Sequence, residues 1–134
     1  MNRKIFVNLP VTDLARSKQF FAKLGFGFDP RFTNEDAACM IVTDDIFVML
    51  LTEKYFKTFT KKVIADAHRS TEVLVCLSEA SREAVDAHLA KALEAGASEA
   101  REPQDLGFMY GRSFCDLDGH IWESVWVDEA AVQG

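Results

Sequence analysis

Glu123 is the residue most able to do chemistry in this chain, because it stands in the apolar run from Ile121 to Val127, broken otherwise only by Ser124. A carboxylate in so apolar a strand costs free energy unless a cation, a metal or a ligand meets it. The segment before it, Phe108 to Cys115, is rich in aromatic residues, and Asp116-Leu117-Asp118-Gly119 between the two is turn chemistry. Aspartate caps its own backbone there and glycine accepts positive φ. The pattern predicts two strands joined by a tight turn. With 116–119 as the loop, Cys115 pairs with His120 and Arg112 lies across from Glu123. Tyr110 then faces Val125, and Phe114 faces Ile121. Opposed charges directly across strands stabilise a sheet, and a guanidinium there would occupy the carboxylate's lone pairs.

Other reactive residue types are scattered. Cys39, Cys76 and Cys115 are odd in number and widely spaced. They read as small buried hydrophobes of a reducing compartment, not as a disulfide frame or a zinc knuckle. No histidine is placed to activate Cys76, and His68, His88 and His120 each read as surface residues. Lys54, Lys57, Lys61 and Lys62 form the one basic cluster, read as a solvated face. A formal charge of −6 argues against nucleic acid as a partner. No apolar run is long enough to span a bilayer and no signal peptide opens the chain. The expectation is a cytoplasmic protein.

The 134 residues must then supply elements that position Glu123, and their order repeats. Ile5 to Val11 predicts a nearly all-apolar strand. Asp13 is an N-cap candidate, Leu14, Ser17, Phe20, Phe21 and Leu24 follow at helical spacing, and Gly25 ends that helix. Phe26-Gly27-Phe28 opens a second strand. Ala37–Thr43 and Ile46–Thr52 flank Asp44-Asp45 as a hairpin. Glu53 to Thr60 is expected to be helical and 61–70 to be an exposed connection. A strand over Thr71–Leu77 starts the pattern again. Ser78 or Ser81 caps a helix with Val85, Leu89, Ala92 and Leu93 on its apolar side, and Gly96 closes it. A short strand near Ser98–Arg101 and a loop at Pro103-Gln104-Asp105 lead into the final hairpin. The tail from Asp128 to Gly134 should fray. The prediction is an α+β fold of two β-α-β-β-β modules, about 1–60 and about 71–128, in a single domain over 1–134. The helices cover one face of the sheet, which curves around a concave cleft on the other.

Two stretches resemble a known family. Leu9-Pro10-Val11-Thr12-Asp13-Leu14, with Ser17, Phe20-Phe21 and Leu24-Gly25-Phe26, resembles the first module of the vicinal oxygen chelate superfamily. Asp116-Leu117-Asp118-Gly119-His120-Ile121-Trp122-Glu123 is similar to its final hairpin. That superfamily includes glyoxalase I, extradiol dioxygenases, and fosfomycin- and bleomycin-resistance proteins. The resemblance implies a divalent metal held by one residue each from the first, fifth and last strands, with a fourth from the fourth strand in glyoxalase I. Carried over, these positions fall on Phe6, Glu72, Glu123 and Leu50. Phe6 and Leu50 cannot ligate, so no metal is expected. Glu72 and Glu123 are the only candidates, and two carboxylates would hold a hard divalent cation weakly at most.

The same two glutamates are the candidate catalytic acids. Phe6, Asn8, Leu50, Tyr110, Arg112 and Phe114 are the candidate ligand-binding residues, beside Val48, Leu74 and Cys76 on the cleft. Such an apolar, aromatic lining with few polar groups suits a small molecule. Three readings stay open for Glu123: a structural pair with Arg112, a metal ligand, or an acid that meets substrate. The expected function is binding of a small, partly apolar molecule by a protein with an incomplete metal site, and a homodimer is implied by the resemblance. The alternatives are a metal-dependent lyase or isomerase resembling glyoxalase I, and a protein that sequesters a drug or metabolite.

Overall fold

The computed structural model describes residues 1–132. It contains two compact units, Met1–Ala65 and a second that begins at Asp66. Each is a four-stranded sheet with a helix against it, and the class is α+β.

In the first unit the element order is β1 (Ile5–Val11), α1 (Leu14–Lys23), β2 (Gly27–Phe28), β3 (Ala37–Ile41) and β4 (Ile46–Thr52). The strands lie in the order β1-β4-β3-β2, with β1 parallel to β4 and the others antiparallel. Asp13 caps α1, its Oδ1 accepting from the Arg16 N–H at 3.1 Å, and Gly25 at φ 103° ends it. The helix buries Leu14, Ser17, Phe20 and Phe21. It packs on β3 and β4, where Ala38, Met40, Val48 and Leu50 are also buried. This helix-covered side is the core of the unit.

The expected helix over 53–60 is only one turn long, α2 (Glu53–Phe56). Thr52 starts it by accepting from the Tyr55 N–H at 3.3 Å. Thr58 stops it by donating its hydroxyl to the Tyr55 carbonyl at 2.7 Å, a local bond that competes with further helix. Between α2 and β5 the chain forms no strand or helix.

The second unit runs β5 (Leu74–Ser78), α3 (Arg82–Glu94), β6 (Ser98–Asp105), β7 (Met109–Cys115) and β8 (Ile121–Val127), in the sheet order β5-β8-β7-β6. Ser81 is the cap of α3, its Oγ accepting from the Ala84 N–H at 3.1 Å. Val85, Leu89 and Ala92 are buried under the helix. β5 starts three residues later than expected, and β6 runs on through Pro103, which the sequence reading placed in a loop. Pro103 is tolerated because β6 is the edge strand and its pairing with β7 slips between Glu99 and Arg101 and again between Arg101 and Gln104. The tail forms a last helical turn, α4 (Glu129–Val132), where fraying was expected. Gln133 and Gly134 lie outside the described residues. Each unit is thus one β-α-β-β-β module.

Candidate functional site

The final hairpin differs from its sequence reading by one residue. Cys115 pairs with Ile121, not His120, because the loop closes over five residues, the Asp116 N–H donating to the His120 carbonyl at 2.9 Å. Asp116 organises that loop. Its Oδ1 accepts from the Asp118 and His120 N–H groups at 2.9 and 3.0 Å, and its Oδ2 accepts from the Trp122 indole at 3.0 Å. Burial pushes the Asp116 carboxyl up, opposed by His120 and these donated bonds. Gly119 adopts φ 90°, and a Cβ there would come within 2.8 Å of the Ala67–His68 backbone, so the position requires glycine.

A one-residue shift moves every side chain to the other face. Glu123 now pairs with Ser113, and Arg112 with Ser124. The expected Arg112–Glu123 pair is therefore corrected. Arg112 lies on the side covered by α3, with its guanidinium 2.8 Å from Glu99 and 3.0 Å from Asp86. Tyr110 shares that side and donates its hydroxyl to Asp86 at 2.6 Å. Phe114 is wholly buried, its ring 6.0 Å from that of His88 and stacked on Trp122 at 6.4 Å. His88 is thus tucked against the core, where desolvation lowers its pKa, and is no surface residue. Tyr110, Arg112 and Phe114 fasten α3 to its sheet, and none of them shares a face with Glu123.

Glu123 has a different cation. β6 brings Arg101 opposite Ser113, and Ser113 lies opposite Glu123, so the three form one row across the sheet. Arg101 reaches along this row to within 3.3 Å of the Glu123 carboxylate. Cys76, Glu123's partner in β5, is exposed. Desolvation, and then the charge of Glu123, push its thiol up, which suppresses the thiolate a nucleophile would need. Glu72 is exposed and sits in a bend before β5 begins, outside the ladder that holds Glu123. Of the cysteines only Cys39 is buried.

The first module also divides its candidates. Phe6 pairs with Phe47 and Asn8 with Met49, whereas Leu50 pairs with Leu9 and Ala38. Leu50 and Val48 are core residues on the α1 side, so Leu50 does not face a ligand with Phe6. The β4 residues that share the face of Phe6 are Phe47, Met49 and Leu51, of which Leu51 is buried. On this open face Phe6 and Phe47 stack with centroids 5.0 Å apart. They line a concavity of about 540 Å³ together with Phe32, Cys39, Ile41 and four charged residues, Lys4, Asp29, Arg31 and Asp44. Phe6 is half exposed and Phe32 slightly more so. Lys4 donates to the Asp44 carbonyl at 2.6 Å and sits 5.6 Å from the Phe47 ring. Asp29 caps the 3-10 turn Pro30–Phe32 and holds the Arg31 guanidinium at 2.8 and 3.1 Å. That guanidinium keeps the Asp29 carboxyl below its usual range. The sequence reading passed over Lys4, Arg31, Phe32 and Phe47. The one available signal was Asp29-Pro30-Arg31, where an aspartate cap and an arginine two residues on can meet.

The divalent metal used by related folds does not suit these residues. Glu123 is engaged by Arg101, Phe6 is stacked on Phe47, Leu50 is in the core, and Met49 is a soft thioether. Among the described residues no group of three or more His, Cys, Asp or Glu side chains is arranged to hold a metal ion.

Residues 3–46 match the family described as bleomycin resistance protein-like N-terminal. No curated protein matches the sequence. Among solved structures, a hypothetical protein from S. aureus is 28% identical over 94% of both chains, with a TM-score of 0.79. A glyoxalase/bleomycin resistance protein/dioxygenase family enzyme from Burkholderia phytofirmans PsJN is 16% identical, with 91% of this chain and 96% of that one covered and a TM-score of 0.75. The fosfomycin resistance protein FosX from Mesorhizobium loti is 12% identical, covering 94% and 92% of the two chains at a TM-score of 0.68. The chain has the fold of the vicinal oxygen chelate superfamily, and its first module resembles the N-terminal module of bleomycin-resistance proteins.

Proposed function

We propose that this protein binds a small, partly aromatic molecule on the open face of its first module and does so without a tightly held metal. The observation that carries this reading is the stacked Phe6–Phe47 pair lining a concavity of about 540 Å³. That volume is in the range of small-molecule sites, and the exposed rings of Phe6 and Phe32 gain free energy when a ligand removes them from water, with Phe47 buried behind Phe6. Phe6 remains a ligand-binding residue in this proposal, joined by Phe32 and Phe47, whereas Asn8, paired with Met49, does not line the concavity. Glu123 and Glu72 have no catalytic step in it, since Glu123 is held by Arg101 and Glu72 lies off the strand. A lyase or isomerase mechanism through a metal has no donor set to support it, whereas binding and sequestration need none. A cytoplasmic setting accords with the free cysteines and with the absence, among the described residues, of a helix long and apolar enough to cross a membrane.

The test is a thermal-shift and NMR titration with fused-ring aromatic compounds. Phe6→Ala should weaken binding about tenfold, by loss of roughly 1–2 kcal/mol of ring burial. Unchanged affinity in that variant would place the ligand elsewhere.

A further inference from the structure

The concavity of the first module carries more information about its ligand than its size and aromatic walls. Arg31 lies on its wall with an unusual combination of properties. Its side chain is 76% exposed, yet it is fixed on one side by Asp29, whose side chain is only 11% exposed. The pairing is side-on. Arg31 Nε donates to Asp29 Oδ1 at 3.1 Å and Nη2 to Oδ2 at 2.8 Å, while the Arg31 backbone N–H also donates to Oδ1. One face of the guanidinium rests on the Phe32 ring at 5.3 Å. A guanidinium has five N–H donors in a planar fork. Asp29 uses the Nε–Nη2 edge, so the Nη1 amino group and the second Nη2 hydrogen have no acceptor among the described residues. Those donors form the end-on edge, the other geometry that grips a carboxylate bidentately.

The site is built rather than accidental. Asp29 is held by the capped turn Pro30–Phe32, and Thr33 ties that turn to β3. Its hydroxyl donates to the Asp29 carbonyl at 2.7 Å and accepts from the Cys39 N–H at 3.0 Å. Arg31 is therefore pre-positioned, and a ligand need not spend ordering free energy on it. Lys4 supplies a second cation on the same concavity, fixed by the Asp44 carbonyl and by Asp45 Oδ1 at 3.3 Å. Formal charges in the concavity balance, but their accessibility does not. Both Asp29 oxygens are engaged and nearly covered, whereas the free edge of Arg31 is open; the other carboxylate of the concavity, Asp44, is exposed and offers its backbone carbonyl to Lys4.

Resting on the binding function proposed above, we infer that the ligand is a flat aromatic ring bearing a carboxylate. The ring packs against the exposed Phe6, which is backed by the buried Phe47, and the carboxylate meets the free edge of Arg31. Aryl carboxylic acids are the chemical class this combination recognises, in preference to neutral aromatics of the same shape.

The experiment titrates the full chain at neutral pH with 2-naphthoate and with its neutral isostere 2-naphthamide, followed by NMR chemical shifts. Naphthoate should bind roughly tenfold or more tightly than the amide, as a charge-assisted bidentate contact would give. The gap should narrow in 1 M salt, because the site is open to solvent, and in Arg31→Gln. Arg31→Lys keeps the charge without the fork and should fall between the two. Equal affinity for acid and amide in the unaltered protein would overturn this inference while leaving the aromatic binding site standing. A preference that survives Arg31→Gln would also overturn it. Absence of any shift at Phe6, Phe32 and Phe47 with either compound would overturn both this inference and the binding function beneath it. The comparison of the two compounds on the unaltered chain does not depend on the folding of any variant.

Discussion

Glu123 shows how a carboxylate survives in an apolar strand. Its neighbours in the sheet supply a cation, and that cation is Arg101, 3.3 Å away, not Arg112. Arg101 is about half exposed and Glu123 about a quarter, so solvent screens the pair and its worth is modest. A double-mutant cycle of Arg101→Ala and Glu123→Gln should give a coupling of about 1 kcal/mol or less by urea denaturation. A coupling several times larger would mean that Glu123 is embedded more deeply than the sheet geometry describes. The need for a cation was legible in the sequence from the polarity break at Glu123. Its identity was not, because it depended on two displacements at once. The hairpin loop is one residue longer than its turn residues suggested, and the edge strand slips around Pro103. Each displacement is small in sequence, and together they exchange one arginine for another. Leu50 failed for a related reason: a position carried over by family likeness has no face until the ladder partner is known, and Leu50's partners, Leu9 and Ala38, are in the core.

At the scale of elements, α3 is fastened to its sheet by charge as much as by the buried Val85, Leu89 and Ala92. Arg82 holds Asp105 at 2.7 Å and the Gly107 carbonyl at 2.8 Å, and its guanidinium lies over the rings of Tyr110 and Trp126. Asp86 accepts from Tyr110 and Arg112. These contacts have a pH signature. The Arg82 hydrogen bond lowers the Asp105 carboxyl from 3.8 to about 2. Asp86 is lowered chiefly by the Tyr110 hydroxyl, and Asp29 by Arg31. A folded-state value below the unfolded one gives stability that is present above the unfolded value and lost as pH falls through the folded one. The melting temperature should therefore fall as pH is lowered from about 4 towards 2. Asp105→Asn should flatten that limb, and an identical acid limb in the variant would contradict the assignment. Asp116 acts in the opposite sense. Its raised value favours the neutral form in the folded state, so its contribution is present at low pH and declines as pH rises.

The helices themselves were readable from capping and periodicity, because Asp13 and Ser81 cap by local bonds that need no tertiary context. The short α2 was not, because Thr58 offers its carbonyl partner a competing local bond that apolar spacing does not reveal. The aromatic concavity was legible only in Phe6. Its other walls come from β4 and from the turn at Pro30, which meet Phe6 through strand pairing and not through sequence proximity.

At the scale of the molecule, two modules of the same order each have an edge strand, β1 and β5, that carries exposed apolar residues, Ile5 and Phe6 on one and Leu74 on the other. Exposed apolar edges invite pairing with another chain, which accords with the homodimer that the resemblance implies. Mass measured in solution at micromolar concentration should correspond to twice 15.0 kDa, and a monomer would count against it. Neither modest surface pairing nor acid sensitivity bears on whether the molecule needs a metal to bind its ligand. That question is decided by one measurement, the affinity for 2-naphthoate before and after exhaustive chelation. The account predicts the same dissociation constant in both. Affinity lost on chelation, restored by a divalent ion and abolished in Glu123→Gln would contradict it.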